Sequence, residues 1–201
     1  MADKITVFPA RGGEVTMSDQ FSHGYALLIA VDQNQVEKWA LPAASLDLSA
    51  LRGVLVHPQR CAYPPEQVKV VQAEQATRAG ILKGLKWLRE KLEADTSGNA
   101  TAVVYFSGHG GRSASGTPPI YYLVPYDFDE DDPALSVLRA EDFAAGIHRL
   151  QPRRLLVALD CCRAGGLGIK DLPLDPSGIV HSAIPAALFG GGETPPGASG
   201  G

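Results

Sequence analysis

Cysteine is scarce and unevenly placed: there are three, Cys61 and the adjacent pair Cys161 and Cys162. An odd number argues against a secreted fold stapled by disulfides, and vicinal thiols do not readily bridge to each other. Nor does any apolar run approach the ~18 residues of a membrane span. The opening MADKITVFPARGG lacks the apolar core of a signal peptide. These absences set the expectation of a reducing, cytoplasmic setting with no membrane partner. Positive charge is not in excess either. Lys and Arg number 18 against 22 Asp and Glu, a net charge of −4, which argues against a surface for nucleic acid or anionic lipid. The 201 residues, 45% hydrophobic and 20% charged, suffice for one globular core.

Periodicity shows how that core is divided. YALLIAVD (25–32) is a continuous apolar run of the kind buried on both faces of a sheet. In 41–55, Leu41, Ala44, Leu48, Leu51 and Leu55 recur at helical spacing, and the Pro-rich HPQRCAYPPEQ ends that helix. VKVVQ (68–72) reads as a second strand. Thr77 is the expected N-cap of a helix over 78–94. Ile81, Leu82, Leu85, Leu88 and Leu92 form its apolar face, with Lys83, Lys86, Arg89 and Lys91 on a solvated one. TAVVYFSGHG (101–110) is a strand ending in a Gly-His-Gly turn. A Gly- and Ser-rich loop leads to a short strand or hairpin in 120–128, then an acidic run, a helix near 140–150 and a fourth long strand at 153–160. Strand alternating with helix implies right-handed crossovers and an α/β fold with a parallel sheet. From Gly165 onward, Gly and Pro dominate, and the stretch 165–201 reads as a loop followed by a disordered tail.

Ligands of open α/β sheets sit beyond the carboxyl ends of the strands. Two strands here end in chemically capable residues: Ser107-Gly108-His109-Gly110 and Asp160-Cys161-Cys162. If those strands are neighbours, His109 and one thiol share a crevice, as a Cys–His nucleophilic pair requires. The flanking glycines allow a sharp turn and leave the Gly110 amide to stabilise an oxyanion. Adjacent residues leaving a strand point to opposite faces, so only one of the two thiols can face His109.

YFSGHG followed by LLVALDCCRAGG, with 53 residues from His109 to Cys162, resembles the large-subunit region of the caspase superfamily. The likeness is closest to the metacaspase-like and prokaryotic caspase-like (orthocaspase) branch, whose cysteine motif D-x-C-x-x-G fits Asp160 to Gly165. It covers about Tyr25 to Gly165. The resemblance implies a three-layer αβα sandwich with a mostly parallel central sheet. It further implies a cysteine endopeptidase with Cys162 as nucleophile, His109 as acid and base, and Gly110 at the oxyanion. Cys161 then fills the motif's variable place. Branch members cut proteins after Arg or Lys through an acidic pocket. Its residues correspond here to Asp160, to Ser107 and to Asp47, the last in LPAASLD, where Ala43, Ala44 and Leu46 depart from the family's L-x-G-C-x-N-D.

The family's small-subunit half adds further strands, which the 39 residues after Cys162 are too few and too Gly- and Pro-rich to supply. The expected organisation is therefore an N-terminal extension (1–20), a large-subunit catalytic domain (21–166) and an intersubunit linker or tail (167–201). The small-subunit half is missing, to be completed by a small-subunit fragment or partner chain. Lys170, just past the nucleophile, is the expected processing site of a zymogen. The rival class is a catalytically idle caspase-like module that regulates or scaffolds a partner. Two metal sites compete with this reading. A zinc site from His109, Cys161, Cys162 and His23 lacks the C-x₂-C spacing that lets two sulfurs reach one ion. The acidic YDFDEDDP lacks the alternating carboxylates and fixed glycine of a calcium loop and reads as a solvated turn. No cofactor or metal is assigned, with calcium activation left as the open alternative. His57 and His148 belong to no motif and read as surface or capping residues.

Overall fold

The computed structural model describes residues 21–112 and 120–161, together with the backbone of 179–182. In chain order the elements are strand β1 (Gly24–Ala30), helix α1 (Ala43–Val56), β2 (Val68–Gln72), α2 (Arg78–Ala94), β3 (Thr101–Ser107), β4 (Gly110–Arg112), β5 (Tyr121–Leu123), the single turn α3 (Pro133–Ser136), β6 (Leu138–Arg139), α4 (Ala140–His148), β7 (Arg154–Asp160) and β8 (Ile179–Ser182). Single 3-10 turns at Glu37–Trp39, Pro65–Gln67 and Ala73–Gln75 lie between them.

The continuous apolar runs take the middle of the sheet, because only there are both faces of a strand covered. Five parallel strands run in the order β2-β1-β3-β7-β8. β1 is buried at every residue, and β3 at every residue except the partly buried Tyr105. Alternation divides the side chains between two cores. Leu27, Ile29, Val104, Phe106, Leu155 and Val157 face α2 and α4, against Leu85, Leu88, Phe143 and Ile147. Ala26, Leu28, Ala30 and Val103 face α1, against Ala44, Leu48 and Leu55. Helix, sheet and helix are thus three layers, an αβα sandwich as expected. A separate antiparallel sheet, β4-β5-β6, forms where a short strand or hairpin was expected in 120–128.

The helix boundaries follow local chemistry. Thr77 caps α2, its hydroxyl accepting from the Gly80 amide at 2.9 Å. Asp127 also serves that terminus, accepting from the Arg78 amide at 2.8 Å, where a carboxylate offsets the helix dipole. At Gly84 the helix leans on the sheet: a Cβ there would stand 2.8 Å from Leu27 Cδ1. Lys83, Lys86 and Lys91 of the basic stripe are solvated as expected, whereas Arg89 is half-buried; Lys86–Glu90 and Arg89–Glu93 pair one turn apart.

One expectation is corrected. Within the stretch read as loop and tail, Ile179–Ser182 pairs in parallel with β7, Leu155 opposite Ile179 and Ala158 opposite Ser182. A β-branched Ile-Val pair is enough to extend an apolar parallel sheet by one short strand, even amid glycine and proline. Residues 1–20, Cys162 and Lys170 lie outside the described residues.

Candidate active site

β3 and β7 are neighbours, and their register sets Ser107 directly opposite Asp160. The pairing continues one residue further, where the Gly108 amide donates to the Asp160 carbonyl at 3.2 Å. On the other side the Val31 amide donates to the Ser107 carbonyl at 2.9 Å, which ties the end of β3 to the end of β1. Gly108 is needed for close approach: a Cβ would come within 3.1 Å of both Val31 Cβ and the Phe106 ring. His109 follows at once, half-buried beyond the carboxyl ends of the strands, where α/β folds bind ligands. Its carbonyl accepts from the Val124 amide at 3.0 Å, and Gly110 opens β4.

Of the three residues expected to read a basic side chain, Ser107 and Asp160 are hydrogen-bonded, and Tyr105 feels the charge of the third, Asp47. Ser107 is only 1% exposed, so its hydroxyl must find partners within the protein. It donates to Asp160 Oδ2 at 3.4 Å and shares a hydrogen bond with the Tyr105 phenol. Burial pushes the Tyr105 phenol up in pKa; the Ser107 hydrogen bond pulls it down, while the charges of Asp160 and Asp47 push it further up. The two carboxylates act on one phenol from different elements, Asp160 from β7 and Asp47 from the first turns of α1. Both are solvent-exposed, so a cation entering from solvent can reach them. In the sequence, Tyr105 is one more residue of an apolar strand. Its place on the α1 face, in step with Ser107 two residues on, is the signal that would have found it.

Cys161 is half-buried and packs against the core on the α2 and α4 side, opposite to Asp160. His23 cannot share a zinc ion with His109. His23 precedes β1 and bonds Asp95 at the amino ends of the strands, whereas His109 lies past their carboxyl ends. A seven-residue strand puts roughly 20 Å between those ends. In the acidic run, Asp127 accepts from Arg78, Asp129 from the Asp131 amide, and Glu130 from Lys38 and Trp39. Among the described residues, no three His, Cys, Asp or Glu side chains are grouped as a metal ion would need. His57 uses Nδ1 to accept from the Gln59 amide just past α1, a capping role, and His148 is exposed at the end of α4.

One aromatic ring stands against His109, and a second stands against that ring. The Trp39 indole lies 5.5 Å from the imidazole, centroid to centroid, at 81°, and 5.5 Å from Phe128 at 82°. No helix among the described residues is long and apolar enough to cross a membrane. Compared with protein-family models, the chain matches the caspase domain over residues 23–188, a span that contains every element described above. No curated protein matches it.

Proposed function

Because the chain belongs to the caspase-domain family of cysteine peptidases, we propose that it is an endopeptidase that cuts proteins after Arg or Lys using Cys162 and His109. The observation that carries this reading is the register of β3 on β7, which brings the chain leading to His109 and the chain leading to Cys162 to one edge of the sheet. Cys161 packs against the core on the α2 and α4 side, which supports the motif's implication that Cys162 is the nucleophile.

In the proposed reaction, His109 favours the Cys162 thiolate, whose sulfur attacks the scissile carbonyl carbon. The carbonyl oxygen takes up the displaced electron pair and is stabilised by the amides of Gly110 and Cys162. His109 gives its proton to the leaving amine as the C–N bond breaks. Water, deprotonated by His109, then attacks the thioester, releasing the acid product and restoring the thiol. Asp47 and Asp160 hold the guanidinium or ammonium of the substrate by charge-assisted hydrogen bonds, and Ser107 and Tyr105 line the pocket between them. A pocket for aspartate would need arginines in those places.

A panel of fluorogenic peptides with Arg, Lys or Asp before the cleaved bond tests the reading. Arg and Lys peptides are expected to turn over, Cys162→Ala and His109→Ala to lose at least about 10³-fold, and Cys161→Ala to keep most activity. Cleavage after Asp alone would overturn the pocket assignment and leave the nucleophile standing. No cleavage by the full chain, alone or with a co-purifying partner, would favour the idle regulatory module.

A further inference from the structure

Residues 32–41 leave β1 and return to α1, and they are pinned to a segment distant in sequence. The Asn34 side-chain amide donates to the Pro125 carbonyl at 2.8 Å, and the Gln35 amide donates to the Tyr126 carbonyl at 3.1 Å. The 3-10 turn Glu37–Trp39 completes the link. Trp39 Nε1 donates to Glu130 Oε1 at 2.6 Å, and Lys38 Nζ lies 2.7 Å from the same oxygen. Two donors on one oxygen hold the Glu130 carboxyl below the usual carboxylate range, Lys38 first and Trp39 second. The indole therefore has one edge on a carboxylate and its ring system set near-perpendicular to two others, Phe128 and His109. Such edge-to-face contacts have a preferred geometry, so fixing the indole restricts the imidazole.

We propose that Trp39 is a positioning residue for His109, and that Glu130 is the latch that holds the indole against it. The acidic turn after Phe128, which has no other assigned use, thereby sets the reach of the general acid and base. This rests on the reading of His109 as catalytic. The indole excludes water from one side of the imidazole and fixes its plane, which matters only for the proton transfers. Loss of the contact should therefore appear in kcat and leave KM unchanged.

The experiment has two arms on the full-length chain. Imidazole proton signals are recorded by NMR, with His109→Gln assigning the His109 signal among the five histidines. Trp39→Leu and Glu130→Ala are expected to move the His109 signal and leave the other four in place, whereas Trp39→Phe and Glu130→Gln move it less. In peptide cleavage, Trp39→Leu is expected to lower kcat about tenfold at unchanged KM, with Trp39→Phe restoring most of it. A His109 signal indifferent to Trp39→Leu, or a loss carried by KM, overturns the proposal. If the wild type cleaves no peptide, the peptidase reading falls, while the His109 signal still decides whether Trp39 and Glu130 hold the imidazole.

Discussion

Asp95 shows how much a single carboxylate can be asked to do. Its side chain is only 2% exposed, yet four donors surround it. They are the Tyr25 hydroxyl at 2.8 Å, His23 Nδ1 at 2.9 Å, and the Ser97 amide and hydroxyl at 2.8 and 2.5 Å. Burial alone would raise its pKa, but the bonds from Ser97, Tyr25 and His23 outweigh that and hold it far below the ordinary carboxylate range. The same contact, with burial leading, pushes the Tyr25 phenol up to about 12. A depressed folded-state pKa gives stability that is present above the unfolded value near ~4 and lost as pH falls from there through the lower folded value. A raised one gives stability that is lost as pH rises from about 10 towards 12. Urea midpoints should therefore drop on both sides of a neutral plateau, and Asp95→Asn should lower the plateau and flatten the acid limb. An acid limb identical in the two proteins would show that Asp95 does not carry it.

Elements were legible in the sequence where local and tertiary demands agree. α2 was readable to its last residue because Thr77 caps it and its apolar face repeats over four turns. β2 was readable because VKVVQ lies between turn signals. β4 and β6, by contrast, are two or three residues long and hold little apolar pattern, and their strand character comes from pairing with β5. β8 was hidden by its glycine- and proline-rich surroundings. Of the candidate site, the strand ends were legible and the ring contacts were not. Trp39 and His109 are brought together by loops, and no periodicity encodes that meeting.

Two mid-helix glycines test how packing overrides propensity. Gly53 in α1 has nothing within 4 Å of a built Cβ, so Gly53→Ala should stabilise by about 0.5–1 kcal/mol through helix propensity. Gly84→Ala gains the same propensity but drives a methyl into the fully buried Leu27, and overpacking of that kind costs about 1–3 kcal/mol. Denaturant melts should move in opposite directions. A stabilised Gly84→Ala would mean that Leu27 can give way without cost.

For the whole molecule, the question is how peptidase activity would be held back. The stretch between β7 and β8 contains Lys170, a basic residue of the type the proposed pocket accepts. If activation is self-cleavage there, wild-type protein should yield two fragments on gels with the cut after Lys170 by mass spectrometry. Cys162→Ala should stay whole, and Lys170→Ala should stay whole and show low turnover. Full activity from an uncut Lys170→Ala chain would refute the zymogen reading. Because β8 is seated on β7 by its own ladder, a cut in the preceding segment leaves the strand a place in the sheet.

The strand order has a consequence for synthesis. β1, β2 and β3 all emerge from the ribosome before residue 110 and can pair with one another, leaving β3 with one open edge. Only about 50 residues later does β7 arrive to close it, bringing Asp160 and the thiol pair with it. Until then the nascent chain exposes an apolar strand edge, the kind of surface that invites aggregation or a chaperone. The same late strand that ends that exposure also delivers the proposed nucleophile. A chain interrupted part-way is thus sticky and, on the proposed reading, unarmed until the sheet is finished.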